Sequence, residues 1–475
     1  MNSNNYRYLN KFRNYILILL INLIVISCIS ISNSTESYEG KWVSLGGNWL
    51  LDIDSNGEYT EYDFTSISCQ ISRTDNIQEF GDRISLSNDT LKIKRGVIQY
   101  SYIRSNKDYE LCDNKLTEEI KNDPLFNFEV FSSTIFENYA FMELNSINWI
   151  ELYEVSKEKM IKKPTNKTLL EVTQTILDEI NDNHGYIEPS IEYIEEFEND
   201  NSVNEIGDFL ISNLVSDNHM IDEYTRDSRI VRWGKMNDSI GYINVKAMFL
   251  ISDLGITQKE IENLGFERAY DKKYYSLNEG EYIEMERLSM NETMSKVMND
   301  LNGFKSIIID VRFNGGGQDA VSLELLSWFN DSPKLMARQS LFYNSKESPT
   351  WDIIIESQEK HFTGDVYLLT SQQTGSACEV FSMGSMVLPR FKRIGMRTMG
   401  AMSTTLEKEL PNGWKFSLSN EYYRNLEGEY FENQGVPIDY KIDYPDDRQE
   451  FFRLVMEDLE SDKREILKVV KQVEN

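Results

Sequence analysis

Asp365-Val366-Tyr367-Leu368-Leu369-Thr370 is followed at once by Ser371-Gln372-Gln373-Thr374-Gly375-Ser376-Ala377-Cys378-Glu379-Val380-Phe381. The first six residues form an apolar, strand-like run; it stops in a polar turn, and a helix-like pattern begins on a Ser-Ala pair. Such a junction lifts Ser376 Oγ onto a helix N-terminus. Unpaired N–H groups and the positive end of the helix dipole favour a developing oxyanion there. An ordinary N-capped helix starts in the same way. Whether Ser376 is a cap or an acyl-transfer nucleophile therefore rests on what else the chain carries.

Upstream, Phe304-Lys305-Ser306-Ile307-Ile308-Ile309-Asp310-Val311-Arg312 reads as a strand buried on both faces. It runs into Phe313-Asn314-Gly315-Gly316-Gly317, where glycines let backbone N–H groups point outward with no Cβ in the way. A loop of this kind can cradle phosphate, form an oxyanion hole or serve as a flexible turn. The dinucleotide and P-loop spacings are both missing. Helical patterns over 320–329 and after Ser376, with a further strand at Arg393-Ile394-Gly395, give the strand–helix alternation of a largely parallel α/β sheet. Met-rich 283–301 and the 451–473 stretch read as amphipathic helices.

The first third of the chain differs. Strand-like runs at 42–54, 57–64, 84–87, 90–94 and 96–103 are separated by turn signals, which predicts an antiparallel β-domain over 39–155, a small barrel or a sandwich. Asp52-Ile53-Asp54-Ser55-Asn56-Gly57 mimics the start of a calcium loop, but it lacks flanking helices and reads as a hairpin turn. A helical segment, 156–235, leads into a core over 236–447 and a terminal helix over 448–475.

Basic residues Arg7, Lys11 and Arg13 precede the apolar run 15–26, which has the flanks of a signal peptide. Val25-Ile26-Ser27-Cys28 resembles the bacterial lipoprotein box. The expectation is a signal peptide over 1–27, lipidation at Cys28 and a polar tether over 28–38, hence an exported lipoprotein held to the membrane by its lipid alone. In an oxidising compartment Cys69 and Cys112 are candidates to pair, and Cys378 reads as a buried packing residue. A formal charge of −29 argues against nucleic acid and anionic lipid surfaces as partners.

Four motifs now stand in order: Asp310 to Gly317, Thr374 to Glu379, Gly395 to Gly400, and Glu432-Asn433-Gln434-Gly435-Val436-Pro437-Ile438-Asp439. Together, over roughly residues 165–447, they resemble the C-terminal processing (tail-specific) serine peptidases. The resemblance implies a crotonase/Clp-like α/β core, polypeptide substrates and no metal or organic cofactor. One departure bears on mechanism. Where the Ser/Lys branch of that family has its lysine base, this chain has Ala401, and Arg397 stays protonated. The chain looks instead like the tricorn-type branch, which uses Ser, an upstream His and a downstream Glu. By that carry-over Ser376 is the nucleophile, His184 in Asp182-Asn183-His184-Gly185 the general base, and Glu432 the orienting carboxylate. The oxyanion donors are the N–H groups of Gly316 and Ala377. His219, in Asp217-Asn218-His219, is the rival base; His361 reads as surface. Asp310 and Arg312 are expected to form a supporting ion pair. No PDZ-like carboxylate loop is evident, so a preference for free C-termini does not carry over. The β-domain is open to three roles: binding a partner, gating the site, or tethering it. An inactive relative binding peptides or small apolar ligands is the alternative reading.

Overall fold

The strand predicted at 365–370 forms, Asp365–Thr370, and lies inside a seven-stranded sheet. The computed structural model describes residues 37–87, 89–190, 193 and 207–474; the lipoprotein box with Cys28 lies outside them. The sheet order is Tyr440–Lys441, Phe391–Gly395, Asp365–Thr370, Ser306–Asp310, Ile240–Val245, Val231–Lys235, Asp222–Glu223. The first five strands are paired in parallel, and the last two pairings are antiparallel, so that only Val231–Lys235 runs against the rest. Ile307, Ile308 and Ile309 are fully buried, as a strand covered on both faces requires. Helices Glu279–Leu301, Asp319–Ser327 and Ala377–Gly384 lie in the crossovers. Met290 and Met294 of the first are core residues, as its spacing predicts. The C-terminal segment is two helices, Arg448–Glu457 and Leu459–Glu474, rather than one.

Parallel pairing sets Asp310 opposite Leu369, so the glycine loop and the Ser376 turn leave the sheet side by side at the carboxyl ends of neighbouring strands. In open α/β sheets that edge is where ligands bind.

The N-terminal strands form a single seven-stranded antiparallel sheet over residues 40–105. Alternation builds it: in Thr90–Arg95, Leu91 and Ile93 are buried while Lys94 is exposed. The sheet's two end strands, Cys69–Asn76 and Ile84–Ser87, are joined by a 3-10 turn and do not pair, so the expected barrel or sandwich is one open sheet. Asp54 Oδ1 accepts from the N–H of Asn56 and Glu58, which makes 54–57 the hairpin turn its sequence suggests. Beyond Ser105 the chain turns helical. Phe131 and Ile135 of helix Pro124–Asn138, Leu169 and Ile176 of Asn166–Ile180, and Trp414 and Phe416 of a later hairpin share one apolar core with Trp42 and Leu51 of the sheet. The N-terminal sheet is thus packed onto the rest of the molecule. Among the described residues no helix is long and apolar enough to cross a membrane.

Cys69 and Cys112 form a disulfide, with their Cα atoms 4.8 Å apart and 43 residues apart in sequence. Closing a loop of that length restricts the unfolded chain and contributes about 4 kcal/mol in the chain-entropy model. The double variant Cys69→Ser/Cys112→Ser is expected to lose about 3–4 kcal/mol of unfolding free energy, measured by denaturant titration. An unchanged midpoint would show that the bridge adds nothing.

Candidate active site

Ser376 adopts φ 50° and ψ −127°, a conformation uncommon outside glycine and held here by its surroundings. The turn before it is clamped to the neighbouring strand's end. Thr374 Oγ1 donates to Val311 O at 2.9 Å, Ser371 Oγ to Arg312 O at 2.6 Å, and Gly375 N to Asn314 O at 3.1 Å. Ser376 N donates to Ala401 O at 3.0 Å. Ala401 thus touches the serine through its backbone, and its methyl group carries no proton-transfer chemistry. Ser376 and Glu379 stand in the reciprocal arrangement of a capping box, but the Glu379 N–H donates to the Ser376 carbonyl oxygen at 2.7 Å and no side-chain cap hydrogen bond forms. Ser376 Oγ has no hydrogen-bond partner among the described residues. The side chain is half-buried and lines a cleft of about 430 Å³.

After Ser376 the helix Ala377–Gly384 is buried along its whole length, and the Ala377 N–H has no partner among the described residues. The glycine loop faces it. A Cβ on Gly316, at φ 116°, would lie 2.6 Å from Ser376 Cβ and 3.1 Å from Ala377 N, so only glycine permits this approach. Gly316 N–H itself donates to Asn314 Oδ1 at 2.9 Å. The adjacent Gly317 N–H, which the sequence did not single out, is without a partner among the described residues. Cys378 is a free, fully buried thiol pushed well up by desolvation, which makes it a packing residue.

Glu379 carries more of the geometry than its place in the motif suggested. Fully buried, it accepts from Thr398 Oγ1 at 2.6 Å, Gly400 N at 2.7 Å, Ala401 N at 2.6 Å and Ser376 N at 3.3 Å. Burial pushes its carboxyl up to about 7, against the pull of those donors. It locks the Gly400–Ala401 loop to the Ser376 turn. The legible signal was the Ser-x-x-Glu spacing of a helix start.

Glu432 is buried in the next loop, and its Oε2 accepts from Met402 N at 2.9 Å and Ser403 N at 2.8 Å. Burial raises it to about 8, with the nearby Glu379 and Asp182 carboxylates adding to the rise.

His184 arrives from a different part of the chain. Helix Asn166–Ile180 is built on Leu169, Val172, Ile176 and Ile180, all buried, and ends at Asn181 with φ 52°. The turn that follows is docked onto the site: Asn183 Nδ2 donates to Gly400 O and to Asn433 Oδ1, each at 3.0 Å. Asp182 Oδ1 accepts from His184 N at 3.0 Å, and Ser417 Oγ donates to His184 O. The imidazole Nδ1 is buried without a partner among the described residues, and desolvation holds the ring's pKa below its ordinary value despite the opposing Asp182 carboxylate. Among the described residues no hydrogen bond joins this ring to Ser376 Oγ or to Glu432.

His219 lies elsewhere. It is fully buried, its Nε2 is 3.0 Å from Asp462 Oδ2, and its ring packs on Tyr242. Asp462 also accepts from Arg312 Nη1 at 2.9 Å, and Arg312 Nη2 is 2.7 Å from Asp310 Oδ2. The expected Asp310–Arg312 pair is thus part of a buried network under the glycine loop, with His219 inside it. His361 Nδ1 is 3.1 Å from Gln358 O, away from the site. No group of three or more His, Cys, Asp or Glu side chains able to hold a metal ion occurs among the described residues.

Against known proteins, residues 240–442 match the family model described as Peptidase family S41. A protein of Staphylococcus aureus (strain N315), described as "Probable CtpA-like serine protease", is 23% identical over 144 residues, which is 30% of this chain and 28% of that protein. The chain thus matches less than a third of the length of this curated relative. Among solved structures, mature CPAF superposes with TM-score 0.50 at 10% identity, covering 75% of this chain and 99% of the other; at that identity the likeness is one of fold. A lipoprotein from Streptococcus agalactiae gives TM-score 0.43 at 13% identity, with 73% and 98% covered.

Proposed function

We propose, from the premise that residues 240–442 are a serine-peptidase domain of family S41, that this protein is a serine endopeptidase acting on exported polypeptides. The observation that carries the reading is Ser376 itself. Its hydroxyl lines a cleft and makes no cap hydrogen bond, its backbone is strained at φ 50°, and the Ala377 N–H beside it has no partner among the described residues. Ser376 stands with Glu379 in the arrangement of a capping box, but its side chain makes no cap hydrogen bond, which leaves the hydroxyl available to the cleft.

In the proposed reaction His184, a neutral imidazole, takes the Ser376 proton as Oγ attacks the scissile carbonyl. The same proton then passes to the leaving amine, and water hydrolyses the acyl-enzyme by the reverse sequence. The Ala377 and Gly316 N–H groups bind the oxyanion, Gly316 turning from its bond with Asn314. Glu432 orients the imidazole by hydrogen bonding. The Ser–His and His–Glu bonds form when substrate closes the site, since catalytic hydrogen bonds commonly tighten only in the complex. Docking of the Asp182–His184 turn on Gly400 and Asn433 supports that assignment. Export through the Cys28 lipoprotein box is supported by the Cys69–Cys112 disulfide, which belongs in an oxidising compartment.

The test is labelling by a fluorophosphonate probe, located by mass spectrometry and followed against pH. The probe is expected on Ser376. A general base must be neutral to act, and burial holds His184 below the ordinary histidine value of about 6.5. Labelling should therefore persist at pH 6.5 and fall away only below it. Absence of label on Ser376 would sink the reading. An acid limb well above that value would remove His184 as the controlling base.

A further inference from the structure

The cleft that Ser376 lines runs between the core and the N-terminal sheet, and its charges are unequally matched. On the sheet side the acids are already paired. Arg95 Nη2 lies 2.7 Å from Glu61 Oε2, and Lys408 Nζ meets Asp63. Asp319, Glu279 and Glu407 line the same space with no lysine or arginine in ion-pair contact among the described residues. Asp319 is the one nearest the chemistry in sequence: it follows the glycine loop and opens helix Asp319–Ser327. Tyr423 OH donates to its Oδ2, which fixes the carboxyl group, while Oδ1 has no partner among the described residues.

We infer that this cleft takes a lysine or arginine side chain of the polypeptide substrate, with Asp319 as the carboxylate that anchors it beside Ser376. The inference rests on the peptidase reading of Ser376 and adds the substrate class to it. A fixed carboxylate in a partly desolvated cleft lacks a counter-charge until a cation arrives, so a cationic side chain gains there what an apolar one cannot. Burial pushes the Asp319 carboxyl up to about 6 against the Tyr423 hydrogen bond, and a bound cation relieves that penalty. The chain's net charge of −29 works in the same direction, concentrating basic polypeptides at the surface. The N-terminal sheet then gains a defined role, because Trp49, Tyr100 and the neutralised Glu61 and Asp63 form the far wall of the substrate cleft.

The experiment compares purified enzyme on internally quenched peptides that differ only in the residue donating the scissile carbonyl: Lys, Arg, Leu or Glu. Lys and Arg peptides are expected to show kcat/KM roughly tenfold or more above Leu, with Glu lowest. In Asp319→Asn the Lys-to-Leu ratio should fall to about 1. Because the ratio is read within one preparation, partial misfolding of the variant does not imitate the result. Should the variant not fold at all, the wild-type ratio decides together with its salt dependence, since added salt should depress the Lys rate and spare the Leu rate. A wild-type enzyme that cuts Leu peptides as well as Lys peptides overturns the inference, as does a preference that survives Asp319→Asn. Either of those results, with fluorophosphonate still on Ser376, leaves the peptidase reading standing. No label and no cleavage of any peptide would remove that reading instead.

Discussion

Ser376→Ala is expected to lower peptide hydrolysis by about 10⁴- to 10⁶-fold and to abolish fluorophosphonate labelling, with the fold intact. The hydroxyl makes no cap hydrogen bond, and the Glu379 N–H that faces it in the capping box keeps the Ser376 carbonyl oxygen as its acceptor, so removal of the hydroxyl leaves that donor satisfied. The backbone at φ 50° is held by Ser371, Thr374, Gly375 and the Ser376 N–H, none of which involves Oγ. The stability change should therefore stay within about 0.5 kcal/mol, readable as a nearly unchanged melting temperature. Cys378 cannot rescue the activity, being buried with its thiol held protonated. Hydrolysis surviving at the wild-type rate would end the assignment of Ser376. A large drop in melting temperature would instead point to a capping serine, because loss of a cap costs about 1 kcal/mol or more.

The second large effect separates two histidines. His184→Ala should reduce hydrolysis by roughly 10³-fold or more, since the serine loses the group that takes its proton. Its cost in stability should be small, because the ring Nδ1 makes no hydrogen bond among the described residues and the turn is held by Asp182, Asn183 and Ser417 rather than by the imidazole. His219→Ala should do the opposite. It strips a donor from Asp462 in a fully buried network that already contains Arg312 and Asp310, so about 1–3 kcal/mol of stability is lost. Ser376 should remain labelled at any temperature where this variant is folded. Loss of labelling in His219→Ala with retention in His184→Ala would reverse the assignment of the base. Measuring labelling and thermal unfolding on the same preparations makes the two histidines distinguishable without reference to substrate.

Much of the parallel core was legible because buried strands leave unmistakable runs. Ile307 to Ile309 and Val366 to Leu369 have no amphipathic partner reading, and the glycines after Arg312 announce a loop that must approach another backbone closely. The hairpins between Ile84 and Ser105 were legible for the complementary reason, strict alternation between turn residues, whereas the run 42–54 is two paired strands, Gly40–Ser44 and Trp49–Ile53, and the strand Cys69–Asn76 was not read. The shape of the N-terminal sheet was not legible. Period-two patterning specifies which face of a strand is buried, and says nothing of whether the end strands meet. The helices after Ser105 were hidden for a related reason: Pro124–Asn138 is buried on most sides, so its periodicity is weak.

At the site, Ser376 and the glycine loop could be read as a pair from their local chemistry. Glu379 could have been read further, since Ser-x-x-Glu spacing marks a carboxylate turned back on its own helix start. Asp319 could not: one acid among 78 has no local mark, and its meaning comes from an unneutralised position in a cleft shared with Ser376. The same is true of His219, whose sequence context nearly duplicates that of His184.

By itself, then, the sequence determined the order of strands and turns, the serine at a helix start, the glycine loop beside it and the absence of a lysine at Ala401. Those properties depend on residues close along the chain, where steric and hydrogen-bond preferences act directly. Tertiary structure decided which histidine's turn docks on the Gly400–Ala401 loop and which is sealed under the glycine loop. It also decided which N–H groups are free, which carboxylate locks the Gly400–Ala401 loop, and that an N-terminal sheet walls the cleft. These are matters of burial and of contacts between segments far apart in the chain. Packing sets them, and no short window of residues records it.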